Sequence, residues 1–178
     1  MTPLCDLAMK YSTDKCPHHR GLRPGHSYTP YYHELLKGIS IQHQRLLEIG
    51  VETGSSLRMW RDYFSTSRII GLDVNRSYLF HEERISTHLC DVSDPVVLSG
   101  ITWYYRAFDI IIDDGSHQLK DQVAAALTIL PYVSGFYVIE DVHESNVAAL
   151  QEQFPKGEIV TFRKDFPSRD DRIMVIRL

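Results

Sequence analysis

The sequence of 178 residues is short of the features that mark membrane, secreted and nucleic-acid-binding proteins. It has no apolar run near the ~20 residues of a membrane span, and its first residues lack the basic and apolar regions of a signal peptide. Its three cysteines are odd in number and scattered, so we expect no disulfide framework and a reducing cytoplasm. The net charge of -4 offers no basic surface for nucleic acid, which we do not expect as a partner.

The remaining composition is that of an ordinary globular protein of one domain, with 43% hydrophobic and 24% charged residues. Residues 41–178 read as an α/β core. Residues 1–40 read as an N-terminal cap segment over the carboxyl ends of its strands. The sequence leaves open whether the protein forms a homo-oligomer.

Short apolar, β-branched runs alternate with helical stretches, which predicts βαβ units and a Rossmann-like, doubly wound sheet of seven strands. The sheet should be mostly parallel, because several runs are apolar on both faces. The last two runs are separated only by a turn-like segment, 165–171, and should form an antiparallel C-terminal hairpin. The predicted strands are 45–51, 68–74, 87–92, 108–114, 135–142, 158–164 and 172–178.

Helices are predicted between these strands, with Pro95 suited to a first helical turn. The segment 77–85 is a weaker helix candidate, and two short helices are expected before the sheet. The predicted ranges are 3–10, 30–39, 55–64, 95–105, 118–133 and 145–154.

The turn after the first strand, 48-EIGVETG-54, holds two glycines rather than the three of a dinucleotide fingerprint. Its acids would repel a pyrophosphate but suit a cationic ligand with an amino-acid head. Asp73 could accept both hydroxyls of a ribose and Asp91 could reach an adenine amine, which favours S-adenosylmethionine over NAD. The alternative is that Gly50 and Gly54 only form a tight turn between a strand and a helix.

Two acidic loops, 113-DDGSH-117 and 140-ED-141, follow adjacent central strands and should converge. Asp114, Glu140 and Asp141 offer three hard oxygen ligands, which suit Mg²⁺. His117 could face the same cavity as a general base. The alternative is that Asp113 or Asp114 caps the next helix.

Taken together, 46-LLEIGVETGSSLRMW-60, 69-IIGLDV-74, 108-FDIIIDDGSHQLKDQ-122 and 137-YVIEDVH-143 resemble class I S-adenosylmethionine-dependent methyltransferases. The nearest resemblance is to the subgroup of macrocin and mycinamicin sugar O-methyltransferases and cephalosporin-hydroxylase-like enzymes. The segments 10-KYSTDKC-16 and 26-HSYTPYYHELL-36 are similar to the N-terminal segment of that subgroup.

The resemblance implies Mg²⁺-dependent O-methylation of a small-molecule acceptor, often a natural-product sugar. It implies that His117 is the catalytic base and that the magnesium ligands are Asp114, Glu140 and Asp141. Its cofactor contacts would be Glu48, Gly50, Asp73 and Asp91, and we expect Gly54 and Asp113 to contact the cofactor as well. The chain departs from the subgroup at Ser12, Cys16, Ser27 and the insertion 17–25, and we expect no auxiliary N-terminal domain, so the acceptor stays open.

Three further patterns of the sequence bear on the site. The stretch 11-YSTDK-15 matches the Tyr-x-x-x-Lys of short-chain dehydrogenases, but it precedes the first strand and is rejected for that role. Cys16, His18 and His19 are too crowded for a usual structural zinc site. Tyr28, Tyr31 and Tyr32 could line an acceptor pocket or pack the cap onto the sheet.

The predicted mechanism has Mg²⁺ lower the pKa of an acceptor hydroxyl while His117 takes its proton. The rival functions are a catechol-type O-methyltransferase, a non-catalytic S-adenosylmethionine-binding module and an NAD oxidoreductase.

Overall fold

The computed structural model describes residues 1–17, 25–162 and 170–178. They form one eight-stranded sheet in the order β3-β4-β2-β1-β5-β6-β8-β7. Strands β4, β2, β1, β5 and β6 run parallel, whereas β3, β8 and β7 each pair antiparallel with their neighbour. The strand bounds are β1 Arg45–Ile49, β2 Arg68–Asp73, β3 His81–Glu82, β4 Ile85–Leu89, β5 Phe108–Asp113, β6 Val133–Ile139, β7 Glu158–Thr161 and β8 Arg172–Arg177.

Within the described ranges, six α-helices cover the two faces of this sheet, as the doubly wound prediction requires. One face packs against α1 Pro3–Tyr11, α2 Tyr28–Leu36 and α3 Ser55–Tyr63, through residues such as Leu4, Tyr32 and Trp60. The other packs against α4 Pro95–Tyr105, α5 Leu119–Ile129 and α6 Val147–Gln153. Three short 3₁₀ turns, Arg76–Tyr78, Leu130–Tyr132 and Glu144–Asn146, join these elements.

The central strands alternate between the two cores because successive side chains of a strand point to opposite faces. In β5, Ile110 and Ile112 belong to the core under α1–α3, and Ile111 belongs to the core under α4–α6. Burial on both faces explains the near-continuous apolar runs that predicted these strands.

Helix α4 begins where its sequence indicates. The Asp94 carboxylate accepts hydrogen bonds from the amides of Val96 and Val97 at 2.9 and 3.3 Å, and Pro95 occupies the first turn. This satisfies amide groups that have no partner inside the helix.

The fold corrects two predictions. The helix candidate at 77–85 is wrong: a 3₁₀ turn leads instead into β3, which pairs with β4. The sheet therefore has eight strands rather than seven. The antiparallel pairing of β7 with β8 confirms the predicted C-terminal hairpin, whose turn lies largely outside the described residues.

The N-terminal residues occupy two positions. Helices α1 and α2 lie in the layer beside α3, whereas the loop 12–15 reaches over the carboxyl ends of the strands. The division of the chain at residue 40 stays a prediction. None of the helices in the described ranges is long and apolar enough to cross a membrane.

Candidate active site

A glycine turn connects β1 to α3 at the carboxyl edge of the sheet. Gly50 has φ +93°, and a β-carbon there would lie 2.2 Å from the Asp114 carbonyl oxygen, so only glycine fits. The Asp73 carboxylate accepts hydrogen bonds from the amides of Val51 at 2.9 Å and Glu52 at 3.3 Å. The end of β2 thus holds the turn in place.

Two adjoining cavities open at this edge. The larger, of about 530 Å³, is bounded by the loop 12–15, residues 50–53, 55 and 56 of the glycine turn, and the residues Asp73, Asp114, His117 and Asp141. The smaller, of about 200 Å³, shares Gly50 and Asp73 with it and includes Asp91. Ligands of open α/β sheets bind in this position, outside the carboxyl ends of the strands.

The predicted cofactor residues divide between these cavities and the interior. Gly50 and Asp73 line both cavities, and Asp91 lines the smaller one. Glu48, Gly54 and Asp113 belong to neither lining as the described residues define them. Asp113 is buried and accepts a hydrogen bond from the Tyr137 hydroxyl at 3.3 Å, and burial raises its pKa to about 7. All six cofactor contacts stay predictions.

A buried lysine lies in the wall of the larger cavity. Lys15, 1% exposed, places its ammonium group among three carboxylates that follow β1, β5 and β6. Its Nζ atom lies 2.5 Å from Asp114 Oδ2 and 3.4 Å from Glu48 Oε1, and it also donates to Glu140 Oε2. A loop that precedes the sheet in sequence therefore neutralises part of the acidic site.

The charges of this cluster do not balance, because one ammonium group faces three carboxylates. Burial lowers the pKa of Lys15, but the charges of Asp114, Glu140 and Glu48 raise it by more than burial lowers it, so the ammonium form is retained. Burial raises the pKa of Glu48 to about 7 against the opposing effect of Lys15. Burial likewise raises the pKa of Glu140, and the charge of Asp114 adds to that effect. The site thus favours a further positive charge.

Two buried tyrosines of α2 hold the acids of the second loop. The Tyr32 hydroxyl donates to Glu140 Oε1 and the Tyr28 hydroxyl donates to Asp141 Oδ1, each at 2.6 Å. Both tyrosines are 0% exposed, so they position carboxylates rather than line the cavity. Tyr31 packs edge-on against Phe162 instead.

Three predicted site residues, Asp114, His117 and Asp141, come together at the cavity. One ligand atom from each lies within 4.8 Å of the others, a spacing that could hold a metal ion. His117 Nδ1 lies 3.5 Å from Asp141 Oδ2 and makes no hydrogen bond within the described residues. His117 and Asp141 have φ of +56° and +51°, left-handed values that non-glycine residues rarely adopt and that occur at functional sites.

Glu140, the third predicted metal ligand, is turned toward Lys15 and Tyr32. Among the described residues, the group spaced to hold a metal ion is Asp114, His117 and Asp141, without Glu140, and the predicted ligand set of Asp114, Glu140 and Asp141 stays a prediction. The expectation that Cys16, His18 and His19 form no zinc site stays a prediction, because His18 and His19 lie outside the described residues.

Sequence reasoning missed Lys15 and His26 as site residues. Lys15 belongs to the Tyr-x-x-x-Lys stretch that was rejected as a dehydrogenase motif, and the resemblance of 10-KYSTDKC-16 to the N-terminal segment of the subgroup was the available signal. His26 Nδ1 lies 3.1 Å from Asp171 Oδ1 and 3.6 Å from Asp141 Oδ1. No pattern in the sequence joins positions 26, 141 and 171.

Comparisons with curated proteins find sugar O-methyltransferases of antibiotic pathways. The chain is 38% identical over 145 residues to the 8-demethyl-8-(2-methoxy-alpha-L-rhamnosyl)-tetracenomycin-C 3'-O-methyltransferase of Streptomyces olivaceus, covering 76% of this chain and 36% of that protein. It is 36% identical over 126 residues to the demethylmacrocin O-methyltransferase of Streptomyces fradiae, covering 66% and 32%. The chain thus spans about a third of the length of these relatives. No protein-family model matches it.

Among solved structures, the chain is similar to the MycE methyltransferase of the mycinamycin pathway in complex with Mg and SAH. The TM-score is 0.76 at 27% identity, over 99% of this chain and 54% of that one. A further structure of MycE contains Mg, SAH and mycinamycin VI, with a TM-score of 0.74 at 28% identity, over 99% and 54% of the two chains.

Proposed function

Because this chain belongs to the class I S-adenosylmethionine-dependent methyltransferases, in the macrocin and mycinamicin sugar O-methyltransferase subgroup, we propose that it methylates a hydroxyl of a natural-product sugar. The reaction would use S-adenosylmethionine and Mg²⁺. The observation that carries the proposal is the convergence of Asp114, His117 and Asp141 on a cavity that the glycine turn and Asp73 also line.

The cofactor side of the cavity fits a sulfonium nucleoside. Gly50 leaves the backbone open to a ligand, and Asp73 and Asp91 offer carboxylate oxygens to hydroxyl and amine donors. The excess of carboxylates would attract a sulfonium cation and repel the pyrophosphate of NAD. We therefore assign the cofactor contacts to Glu48, Gly50, Gly54, Asp73, Asp91 and Asp113, with Gly50, Asp73 and Asp91 the best supported by their positions.

The metal side fits Mg²⁺ in its donor chemistry. Asp114 and Asp141 offer oxygen ligands at the cavity, Glu140 lies behind them, and one ammonium group leaves their charge uncompensated. We assign these three residues as the groups that would hold the ion. When bound, Mg²⁺ supplies Lewis-acid stabilisation of the negative charge that develops on the acceptor oxygen.

His117 is assigned as the general base. Its Nδ1 atom faces Asp141 Oδ2 at 3.5 Å, and this carboxylate would stabilise the imidazolium that forms, leaving Nε2 to take the acceptor proton. The deprotonated oxygen then attacks the methyl carbon, and the electron pair of the methyl–sulfur bond returns to sulfur. Holding both reactants in line would supply much of the acceleration.

The decisive experiment measures methyl transfer from S-adenosylmethionine, with Mg²⁺ or EDTA, to a panel of glycosides that carry a deoxysugar and to catechol. We expect turnover of a glycoside that carries a deoxysugar, and only with Mg²⁺. Preferential methylation of catechol would select the catechol-type alternative. Cofactor binding without turnover of any acceptor would instead favour the non-catalytic binding module.

The same assay tests the role of His117. In His117→Ala we expect kcat to fall by about 100-fold or more, the usual contribution of a general base. The Kd for S-adenosylhomocysteine should stay within about twofold. Unchanged turnover in this variant would show that another group takes the proton.

A further inference from the structure

A separate cavity of about 600 Å³ opens on the opposite, amino-terminal edge of the sheet. Four arginines line it, together with Tyr104 and Tyr105. The arginines come from the starts of β1 and β2, the turn before β4 and the end of α4: Arg45, Arg68, Arg84 and Arg106. This cavity shares no lining residue with the candidate active site.

Arg45 and Arg68 are neighbours on adjacent strands. They stand at the same level of the parallel β1–β2 pair, and their side chains point to the α4 side, as do Leu47 and Ile70 two residues later. Like charges in such positions repel one another and destabilise a sheet. Arg45 Nη1 donates to the Tyr105 carbonyl at 2.9 Å, and this neutral oxygen leaves the charge of Arg45 uncompensated.

Arg84 and Arg106 are held in place by neutral groups. Arg84 Nη1 donates to the carbonyls of Arg61 and Phe64, each at 2.9 Å, and the Arg106 guanidinium lies 4.7 Å from the centre of the Trp103 ring. Both residues have positive φ, +63° and +72°, where glycine or asparagine would be less strained.

The positive charge of this cavity has no acidic counterpart in the described part of the chain. No lining residue is acidic, and none of the four guanidinium groups forms a salt bridge with a described carboxylate. The nearby Asp109 accepts from the backbone amide of Arg45 at 2.8 Å. Four unneutralised arginines converge on one cavity in a chain whose net charge is -4.

We propose that this cavity binds a phosphate-bearing anion of nucleotide size. The guanidinium fork matches the oxygens of a phosphate group, so the exposed forks of Arg68 and Arg106 suit a diphosphate or triphosphate. Arg45 and Arg84 donate to backbone carbonyls and add positive charge beside them. The rings of Tyr104 and Tyr105 offer a surface on which a base could stack. The volume falls in the range of about 300–1,000 Å³ that is usual for small-molecule sites.

Isothermal titration tests this proposal with pyrophosphate, ATP and adenosine as ligands. EDTA and saturating S-adenosylhomocysteine are present throughout, so that the metal ligands and an adenosine pocket of the candidate active site cannot account for binding. We expect ATP and pyrophosphate to bind one per chain and adenosine not to bind. Arg68 and Arg106 are both exposed, so their replacement should leave the fold intact.

The double variant Arg68→Glu/Arg106→Glu should weaken ATP binding at least tenfold. Lys156→Glu, which reverses an exposed charge outside this cavity, should change it less than twofold. Absence of ATP and pyrophosphate binding, or equal weakening in both variants, would overturn the proposal. If an oligoribonucleotide or an acidic peptide bound far more tightly than ATP at the same arginines, the ligand of this cavity would be a macromolecule rather than a small anion. That result would also overturn the proposal.

Discussion

At the scale of single residues, Lys15 links the N-terminal segment to the candidate site, and its removal should be costly. Lys15→Met leaves Glu48, Asp114 and Glu140 without their buried counter-ion. Breaking a buried ion pair in this way destabilises proteins by about 3–5 kcal/mol. Urea unfolding in EDTA should show a loss of that order, and Mg²⁺ should recover part of it because it neutralises the same carboxylates.

Lys156→Met is the matched control, because Lys156 is exposed and has no ion pair among the described residues. Its free energy of unfolding should stay within about 0.5 kcal/mol of the parent protein. Equal losses in the two variants, or no recovery of Lys15→Met by Mg²⁺, would show that Lys15 does not balance the charge of the site.

Gly50 gives a second test at this scale. In Gly50→Ala the new methyl group would lie 2.2 Å from the Asp114 carbonyl, at a φ of +93°. We expect a loss of about 1–3 kcal/mol of stability from the strained backbone and a weaker affinity for S-adenosylhomocysteine, since the turn and the Asp114 loop must separate.

Gly100→Ala is the control for Gly50→Ala. Gly100 lies in α4, and a β-carbon there would meet no atom within 4 Å. Alanine should stabilise the helix by about 0.5–1 kcal/mol and leave ligand binding unchanged. Thermal unfolding and isothermal titration of both variants make the comparison; matching effects would argue against a special role for the Gly50 turn.

Part of the site could be predicted from the sequence. Asp114, His117 and Asp141 follow two apolar strands, and neighbouring parallel strands end at the same edge. Lys15 could not be placed in the same way, because its partners Asp114 and Glu140 are 99 and 125 positions away. No periodicity within either segment records that contact.

At the scale of elements, Asp62 fastens α1 to α3. Its carboxylate accepts hydrogen bonds from Lys10 Nζ at 2.8 Å and Arg61 Nε at 2.9 Å, and also from the Tyr11 hydroxyl. Burial raises the pKa of Asp62, but these donors lower it by more, so the net shift is well below the usual value. The folded state therefore favours the charged carboxylate.

Asp62→Asn should cost about 1 kcal/mol near neutral pH, since the hydrogen bonds to a charged group are lost. A carboxyl group with a lowered pKa contributes stability above its unfolded pKa of about 3.9 and loses it as the pH falls toward the folded value. The gap between parent and variant in urea unfolding should thus be wider at pH 7 than at about pH 3. A gap independent of pH would mean that the carboxylate charge does not fasten α1.

The helices and strands differ in how clearly the sequence predicts them. The central strands are buried on both faces, so their apolar runs predicted them well. The exposed two-residue β3 was missed because it has no apolar face, and it exists through its pairing with β4 rather than through its own sequence. This is why the segment 77–85 was taken for a helix.

At the scale of the whole molecule, stability should depend on the metal. The described fold brings the ends of β5 and β6 together at Asp114 and Asp141, so an ion bound between them fastens two strands that the unfolded chain does not hold together. Binding to the folded state alone would stabilise it by about 2.7 kcal/mol at a Mg²⁺ concentration 100 times the Kd. Thermal unfolding should therefore shift upward with Mg²⁺ and return to its starting value with EDTA.

Asp141→Asn should reduce that shift strongly, because it removes one charged ligand from the cavity while the amide keeps nearly the same shape. Asp6→Asn, an exposed acid in α1, should keep the full response to Mg²⁺ and serves as the matched control. If Mg²⁺ raised the unfolding temperature equally in both variants, the ion would bind elsewhere on the acidic surface. In that case the assignment of Asp141 as a ligand would be wrong, while the assignment of the fold would be unaffected.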